Sequence, residues 1–136
     1  MNDAESTTGL DRALEVLAVG RIIWGVAAYA APRPNARMAG LPEKPSGEVV
    51  YLTRVFGSRA FALGCGYLLS DASARSRWRR LGLAVDIGDT AAGITHLVRG
   101  DVPRGAAARL TFATGTYAAI GALHVAKDLR SRSRKK

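Results

Sequence analysis

The chain has 136 residues, which suits one compact domain, and its 20 Lys and Arg against 11 Asp and Glu give a formal net charge of +9. Such a charge is typical of proteins that bind nucleic acid or an anionic surface. No zinc-ligand set, aromatic RNA-binding motif or Gly-rich phosphate loop accompanies the basic residues, so the sequence does not favour nucleic acid. The single cysteine, Cys65, excludes an internal disulfide.

Four apolar runs, separated by turn-forming or charged residues, set the predicted organisation. Each spans roughly 18–22 residues, or about 27–33 Å as a helix, which matches a hydrocarbon core near 30 Å. The fourth has no formal charge from Leu110 to Ala126, and a chain this short cannot bury four such helices in water. We therefore predict an all-α integral membrane four-helix bundle over residues 13–126, with helices at about 13–31, 49–70, 81–98 and 106–126.

The segments outside the runs predict the orientation of the bundle. The N-terminal segment (1–12), the second connector and the C-terminal tail (127–136) lie on one side and hold eleven Lys and Arg, against six in the first and third connectors. The side richer in Lys and Arg is cytoplasmic in most membrane proteins. The sequence therefore predicts a multi-pass protein of the inner (plasma) membrane with both termini in the cytoplasm. The acidic residues before the first run and Arg21 within it argue against a secretory signal.

The connector at 32–47 has two open interpretations. It carries four of the five prolines, so it cannot be a regular helix throughout. It is either a surface loop or a partial lid lying on the membrane face.

Charged residues inside the apolar runs are the unusual feature of the sequence. A charge at the centre of a membrane costs at least about 2.5–3.5 kcal/mol, so these residues must face inward and pair. The first three apolar runs contain three arginines and three carboxylates, so their positive and negative charges are equal in number. We predict a buried network formed by Glu15, Arg21, Arg54, Arg59, Asp86 and Asp89.

Spacing assigns these charges to helix faces. Asp86 and Asp89 recur at helical spacing with His96, so they share one face of the third helix. Arg54 and Arg59 lie about 140° apart, from 100° per residue, and are expected to contact different neighbours. Glycines within all four runs favour close helix contacts.

Two kinds of role remain open for the two aspartates. They are structural if the ion pairs fix the register of the bundle. They are the catalytic candidates if the closely spaced carboxylates act as an acid/base pair on a lipid-soluble substrate, or carry protons with His96 as a relay. We expect no cofactor and no metal.

The basic tail (127–136) is predicted to be disordered and to contact anionic lipid head groups on the cytoplasmic side, because each basic residue near such a surface contributes about 1 kcal/mol. The residues concerned are Arg130, Arg132, Arg134, Lys135 and Lys136. Further copies of the chain or another membrane protein are possible partners, and nucleic acid is not.

Short motifs carry a resemblance to a known group of proteins. They are Gly20-Arg21 and Gly25 before Pro32, Arg54-Val-Phe-Gly-Ser-Arg59 with Leu63-Gly64, and Asp86 with Asp89. The chain resembles small bacterial four-helix membrane proteins that form a domain family of unknown function. The resemblance covers most of residues 13–126 and implies the four-helix architecture but no activity. The sequence therefore predicts a membrane protein whose charge network organises the bundle, with an enzyme or a small-solute or proton pathway as alternatives.

Overall fold

A computed structural model describes residues 3–133, with side chains described for residues 9–131 and 133. The helices in this part are α1 (Asp3–Ala30), α2 (Pro32–Met38), α3 (Gly47–Leu68), α4 (Ala72–Arg99) and α5 (Arg104–Ser133). The described residues contain no β-strand, which confirms the predicted all-α class. The four long helices correspond to the four apolar runs, and α2 lies in the first connector.

Three of the long helices extend beyond their apolar runs. α4 begins at Ala72 rather than near residue 81, because Asp71 accepts a hydrogen bond from the Ala74 backbone N at 2.8 Å and arginines continue the helix well. It ends at Gly100, whose φ of 69° is left-handed and suits glycine. α5 continues to Ser133, which differs from the disorder predicted for residues 127–136, and residues 134–136 lie outside the described part.

The first connector is folded against the end of the bundle. Pro32 begins α2, where a missing N–H removes no helical hydrogen bond, and both Pro32 and Ala36 are buried. Arg109 of α5 donates a hydrogen bond from Nη1 to the Met38 carbonyl oxygen at 3.2 Å. The connector is thus held to α5, while the Met38 side chain remains exposed.

The long helices pack most closely as two pairs, α1 with α3 and α4 with α5. In the first pair the backbones nearly touch: a Cβ on Gly25 would lie 2.6 Å from the Gly57 carbonyl oxygen and 2.7 Å from the Phe61 backbone N. In the second pair, a Cβ on Gly93 would overlap the Thr111 side chain. Small residues therefore set the close contact within each pair.

Polarity is distributed unusually between the inside and the outside of the bundle. The buried apolar side chains are mostly small, whereas Asp86 and His124 are each only 4% exposed. Large apolar side chains are exposed on all four long helices, among them Val16, Ile23, Tyr51, Phe61, Ile87, Ile94, Phe112 and Leu123. In water, exposed apolar surface of this extent would be unfavourable.

Composition identifies one segment able to cross a membrane, Gly9–Ala30 in α1. No other helix among residues 3–133 is both long and apolar enough by the same measure, so composition does not establish four spans. The reason is visible in each sequence. α3 and α4 contain charges in mid-helix, and α5 is rich in Ala, Gly and Thr, which contribute little hydropathy.

Candidate functional site

The candidate site is the inter-pair interface, where α1 and α3 meet α4 and α5. Its most buried contact joins Arg21 of α1 to Asp86 of α4, with Nη2 donating to Oδ2 at 2.5 Å. The Arg21 guanidinium also lies over the Tyr117 ring of α5, 4.4 Å from its centroid. Tyr117 in turn donates a hydrogen bond to the Leu17 carbonyl oxygen of α1 at 3.3 Å. One arginine therefore connects three helices.

A second ion pair joins α3 to α4. Arg59 Nη2 donates to Asp89 Oδ2 at 2.5 Å, and the guanidinium lies 4.8 Å from the centroid of the Phe56 ring. This pair is more exposed, since the Arg59 side chain retains 39% of its accessible surface. Asp86 and Asp89 are three residues apart on one face of α4, but their arginines come from different helices, Arg21 from α1 and Arg59 from α3. Each carboxylate consequently has its own arginine.

Two residues of the predicted network lie elsewhere. Arg54 is exposed, and its Nε donates to the Tyr29 carbonyl oxygen at 3.2 Å instead of to a carboxylate. That carbonyl is among the last four of α1, which have no partner within the helix, so Arg54 caps α1. Glu15 is exposed on α1 and forms no ion pair within the described residues. Neither residue therefore belongs to the ion pairs among the described residues, because Arg54 binds a backbone carbonyl and Glu15 has no ionic partner there.

A cluster around His124, which we call the His124 cluster, was not predicted. The buried His124 places Nε2 2.6 Å from Asp11 Oδ1 of α1 and Nδ1 3.6 Å from Asp128 Oδ1. Arg79 of α4 donates from Nη2 to Asp128 Oδ2 at 2.7 Å. The cluster links α1, α4 and α5 at the end of the bundle that holds both chain ends. The four-residue spacing of His124 and Asp128 was the available signal, since it places them on one helix face.

His96 does not continue the line of buried aspartates. Its Nδ1 lies 2.8 Å from Asp101 Oδ1, just beyond the end of α4, and both side chains are exposed. This hydrogen bond with His96 lowers the pKa of the Asp101 carboxyl from its ordinary value. The predicted relay role for His96 therefore has no contact with Asp89 to support it.

Hydroxyl groups connect α4 to α5 beside the ion pairs. Thr90 of α4 donates to the Asp86 carbonyl oxygen at 2.6 Å and lies 3.0 Å from the Thr114 hydroxyl of α5. These bonds satisfy polar groups without introducing further charge, which suits an interior of low dielectric constant.

A small cavity opens into the inter-pair interface. Its volume is about 50 Å³, and its walls include Arg21, Tyr67, Arg79, Asp86 and Tyr117. At roughly 10–15 Å³ per enclosed water, it has room for a few water molecules. Sites for small organic ligands are commonly about 300–1,000 Å³, several times larger. The cavity therefore suits water next to Asp86 and not a lipid-soluble substrate.

No metal site is present among the described side chains, where no group of three or more His, Cys, Asp and Glu is arranged to hold an ion. Of the predicted lipid-binding residues, Arg130 is exposed near the end of α5. The Arg132 side chain and residues Arg134, Lys135 and Lys136 lie outside the described part.

Comparison with known proteins adds no assignment to this geometry. No protein-family model matches the chain, and neither the curated proteins nor the solved structures contain a match.

Proposed function

We propose that this chain is a small multi-pass protein of the plasma membrane, in which ion pairs across the inter-pair interface organise the four long helices. The observation that carries the proposal is the reversed distribution of polarity. Asp86 and His124 are buried, while large apolar side chains cover the outside of α1, α3, α4 and α5. Lipid is the solvent that accommodates such a surface, since it favours apolar side chains outside and paired charges inside.

The modest hydropathy of three helices is compatible with this proposal. The charges that lower the mean hydropathy of α3 and α4 include Arg59, Asp86 and Asp89, and each of these has an ionic partner on another helix. A paired, inward-facing charge costs much less in a membrane than one exposed to lipid. Segment hydropathy counts these residues as though they faced lipid, so it underestimates the ability of the folded bundle to span a membrane.

The organising role accounts for the geometry better than the two alternatives. An acid/base pair requires the two aspartates to share one site, but each has its own arginine and the cavity is lined by Asp86 without Asp89. A proton or solute pathway requires polar groups reaching both surfaces. The His124 cluster provides such groups at one end, but the cavity does not extend to His96 at the other.

The partners of the proposed bundle follow from its chemistry. The apolar exterior would contact lipid acyl chains, and the basic C-terminal residues would meet anionic head groups of the cytoplasmic leaflet. Assembly with a second copy or with another membrane protein is compatible with the role. The proposal agrees with the resemblance to four-helix bacterial membrane proteins.

Topology reporters test the proposal. Alkaline phosphatase is active only outside the cytoplasm and green fluorescent protein folds to fluorescence only inside it. We expect fluorescence but no phosphatase activity after Lys136, and phosphatase activity for fusions after Lys44 and after Arg99. A fusion after Arg77 serves as the matched internal control and should behave like Lys136. Cytoplasmic behaviour at all four positions would contradict a multi-pass topology.

A further inference from the structure

Arg75, in the first turn of α4, is a partly buried cation that has no carboxylate partner among the described side chains. No Asp or Glu side chain within the described residues approaches it to ion-pair distance, and its Nε is buried without a hydrogen-bond partner. Its guanidinium lies over the Tyr67 ring of α3, 5.4 Å from the centroid. Partly buried arginines are normally matched by an anion, because an uncompensated charge is costly away from water. The missing partner therefore points to a ligand.

The surroundings of Arg75 form a corner between the end of α3 and the start of α4. One turn further along α4, the Trp78 ring packs directly on Gly66 of α3, where any Cβ would overlap the indole. Arg79, four residues further along α4, is already paired with Asp128, so it does not add a free charge to the corner. The start of α4 contributes the positive end of its helix dipole. The Arg75 guanidinium, a helix N-terminus and an indole therefore lie together at one end of the bundle.

Three acidic residues near this corner already have partners, and a fourth, Glu15, forms no ion pair with Arg75. Asp71 caps the backbone of α4 through Ala74, and Asp128 accepts a hydrogen bond from Arg79. Asp11 is bonded to His124, and Glu15 is exposed. Positive charge at Arg75 thus remains available to an external anion.

We propose that Arg75, next to Trp78, binds a phosphate group, and that its source is the head group of an anionic phospholipid. A planar guanidinium matches phosphate oxygens through two parallel hydrogen bonds, and indole is favoured at the level of lipid head groups. The lipid source rests on the proposed membrane role, because it requires this corner to lie at the cytoplasmic membrane surface. Binding of a free phosphate ion would need the same side chains but no membrane.

Fluorescence of Trp78 provides the test. In full-length protein carrying Trp24→Phe, Trp78 is the remaining tryptophan. The purified protein in neutral detergent is titrated with phosphatidylglycerol, phosphatidylcholine or inorganic phosphate. We expect a saturable change with phosphatidylglycerol only. Arg75→Gln should weaken the apparent affinity about fivefold. Arg77→Gln, which removes an exposed arginine two residues away, should leave the affinity within about twofold of the parent.

Each outcome decides the proposal. An equal response to inorganic phosphate would retain the phosphate site and overturn the lipid source. The site would be overturned if neither phosphatidylglycerol nor inorganic phosphate gave a saturable response, if phosphatidylcholine gave the same response as phosphatidylglycerol, or if Arg75→Gln and Arg77→Gln weakened binding equally. If Arg75→Gln does not fold, Arg75→Lys retains the charge without the planar fork and should still weaken binding. Lipid binding is measured on purified protein in detergent, whereas the reporter fusions measure topology. Loss of the binding site can therefore be distinguished from failure of the proposed membrane topology.

Discussion

Replacing Asp86 by Ala is expected to destabilise the folded chain by about 3–5 kcal/mol, because the substitution leaves Arg21 in the inter-pair interface without its carboxylate. The loss should be large because Asp86 is 4% exposed and water cannot readily take its place. Reversible unfolding of the purified protein in detergent, followed by circular dichroism, measures the free energy of unfolding. Arg77→Ala is the matched comparison, because it removes an exposed charge outside the apolar runs, and it should change the free energy of unfolding by no more than about 0.5 kcal/mol.

A double substitution separates the stabilisation that the Arg21–Asp86 ion pair provides from the cost of leaving Arg21 without a partner. Arg21→Met with Asp86→Leu removes both charges and fills similar volume, so it should recover most of the stability lost in Asp86→Ala. If the double variant is as unstable as Asp86→Ala, packing instead of the orphaned Arg21 charge would explain the loss. Equal small effects of Asp86→Ala and Arg77→Ala would mean that the Arg21–Asp86 pair does not hold the helix pairs together.

Gly25→Ala is the second substitution with a large expected effect. The new methyl group would meet the Gly57 carbonyl oxygen and the Phe61 backbone N of α3, and backbone cannot move aside as a flexible side chain does. We expect α1 and α3 to separate locally, at a cost of about 2–3 kcal/mol in the free energy of unfolding. The same detergent unfolding experiment measures it.

Gly88→Ala is the matched control for this substitution. Gly88 is also inside a long helix, but a Cβ there would have no neighbour within 4 Å. Alanine is a better helix former, so the control should be neutral or gain up to about 1 kcal/mol. If Gly25→Ala is as well tolerated as Gly88→Ala, the close α1–α3 crossing is not present in the folded protein.

The sequence predicts part of the site because charge imposes strong constraints. Arg21, Arg59, Asp86 and Asp89 had to face inward and pair if the helices were to meet lipid, and their structural partners follow that logic. Charge balance alone also placed Arg54 in the predicted network. The unpaired carbonyls at a helix C-terminus also accept hydrogen bonds from arginine and carry partial negative charge, and a count of carboxylates does not include them.

The remaining differences come from tertiary contacts. Glycine content indicates that helices approach closely, but it does not say that α1 pairs with α3 and α4 with α5. The His124 cluster combines residues from the start of α1, the start of α4 and the end of α5, which are far apart in the sequence. Helix ends were placed at the limits of the apolar runs. The helices instead continue through charged turns, because Lys and Arg are good helix formers and Asp71 caps α4.

The most direct test of the proposed membrane bundle is the solvent around its apolar exterior. Single spin labels are placed by cysteine substitution at Ile23, Ile87 and Phe112, in a chain carrying Cys65→Ala and reconstituted in liposomes. All three positions are exposed and apolar. Collision with oxygen, which concentrates in the bilayer, is compared with collision with a water-soluble nickel chelate. The proposal predicts access to oxygen and exclusion of nickel at all three positions, with the reverse at exposed Arg77. Nickel access at Ile87 and Phe112 equal to that at Arg77 would contradict the proposed membrane bundle.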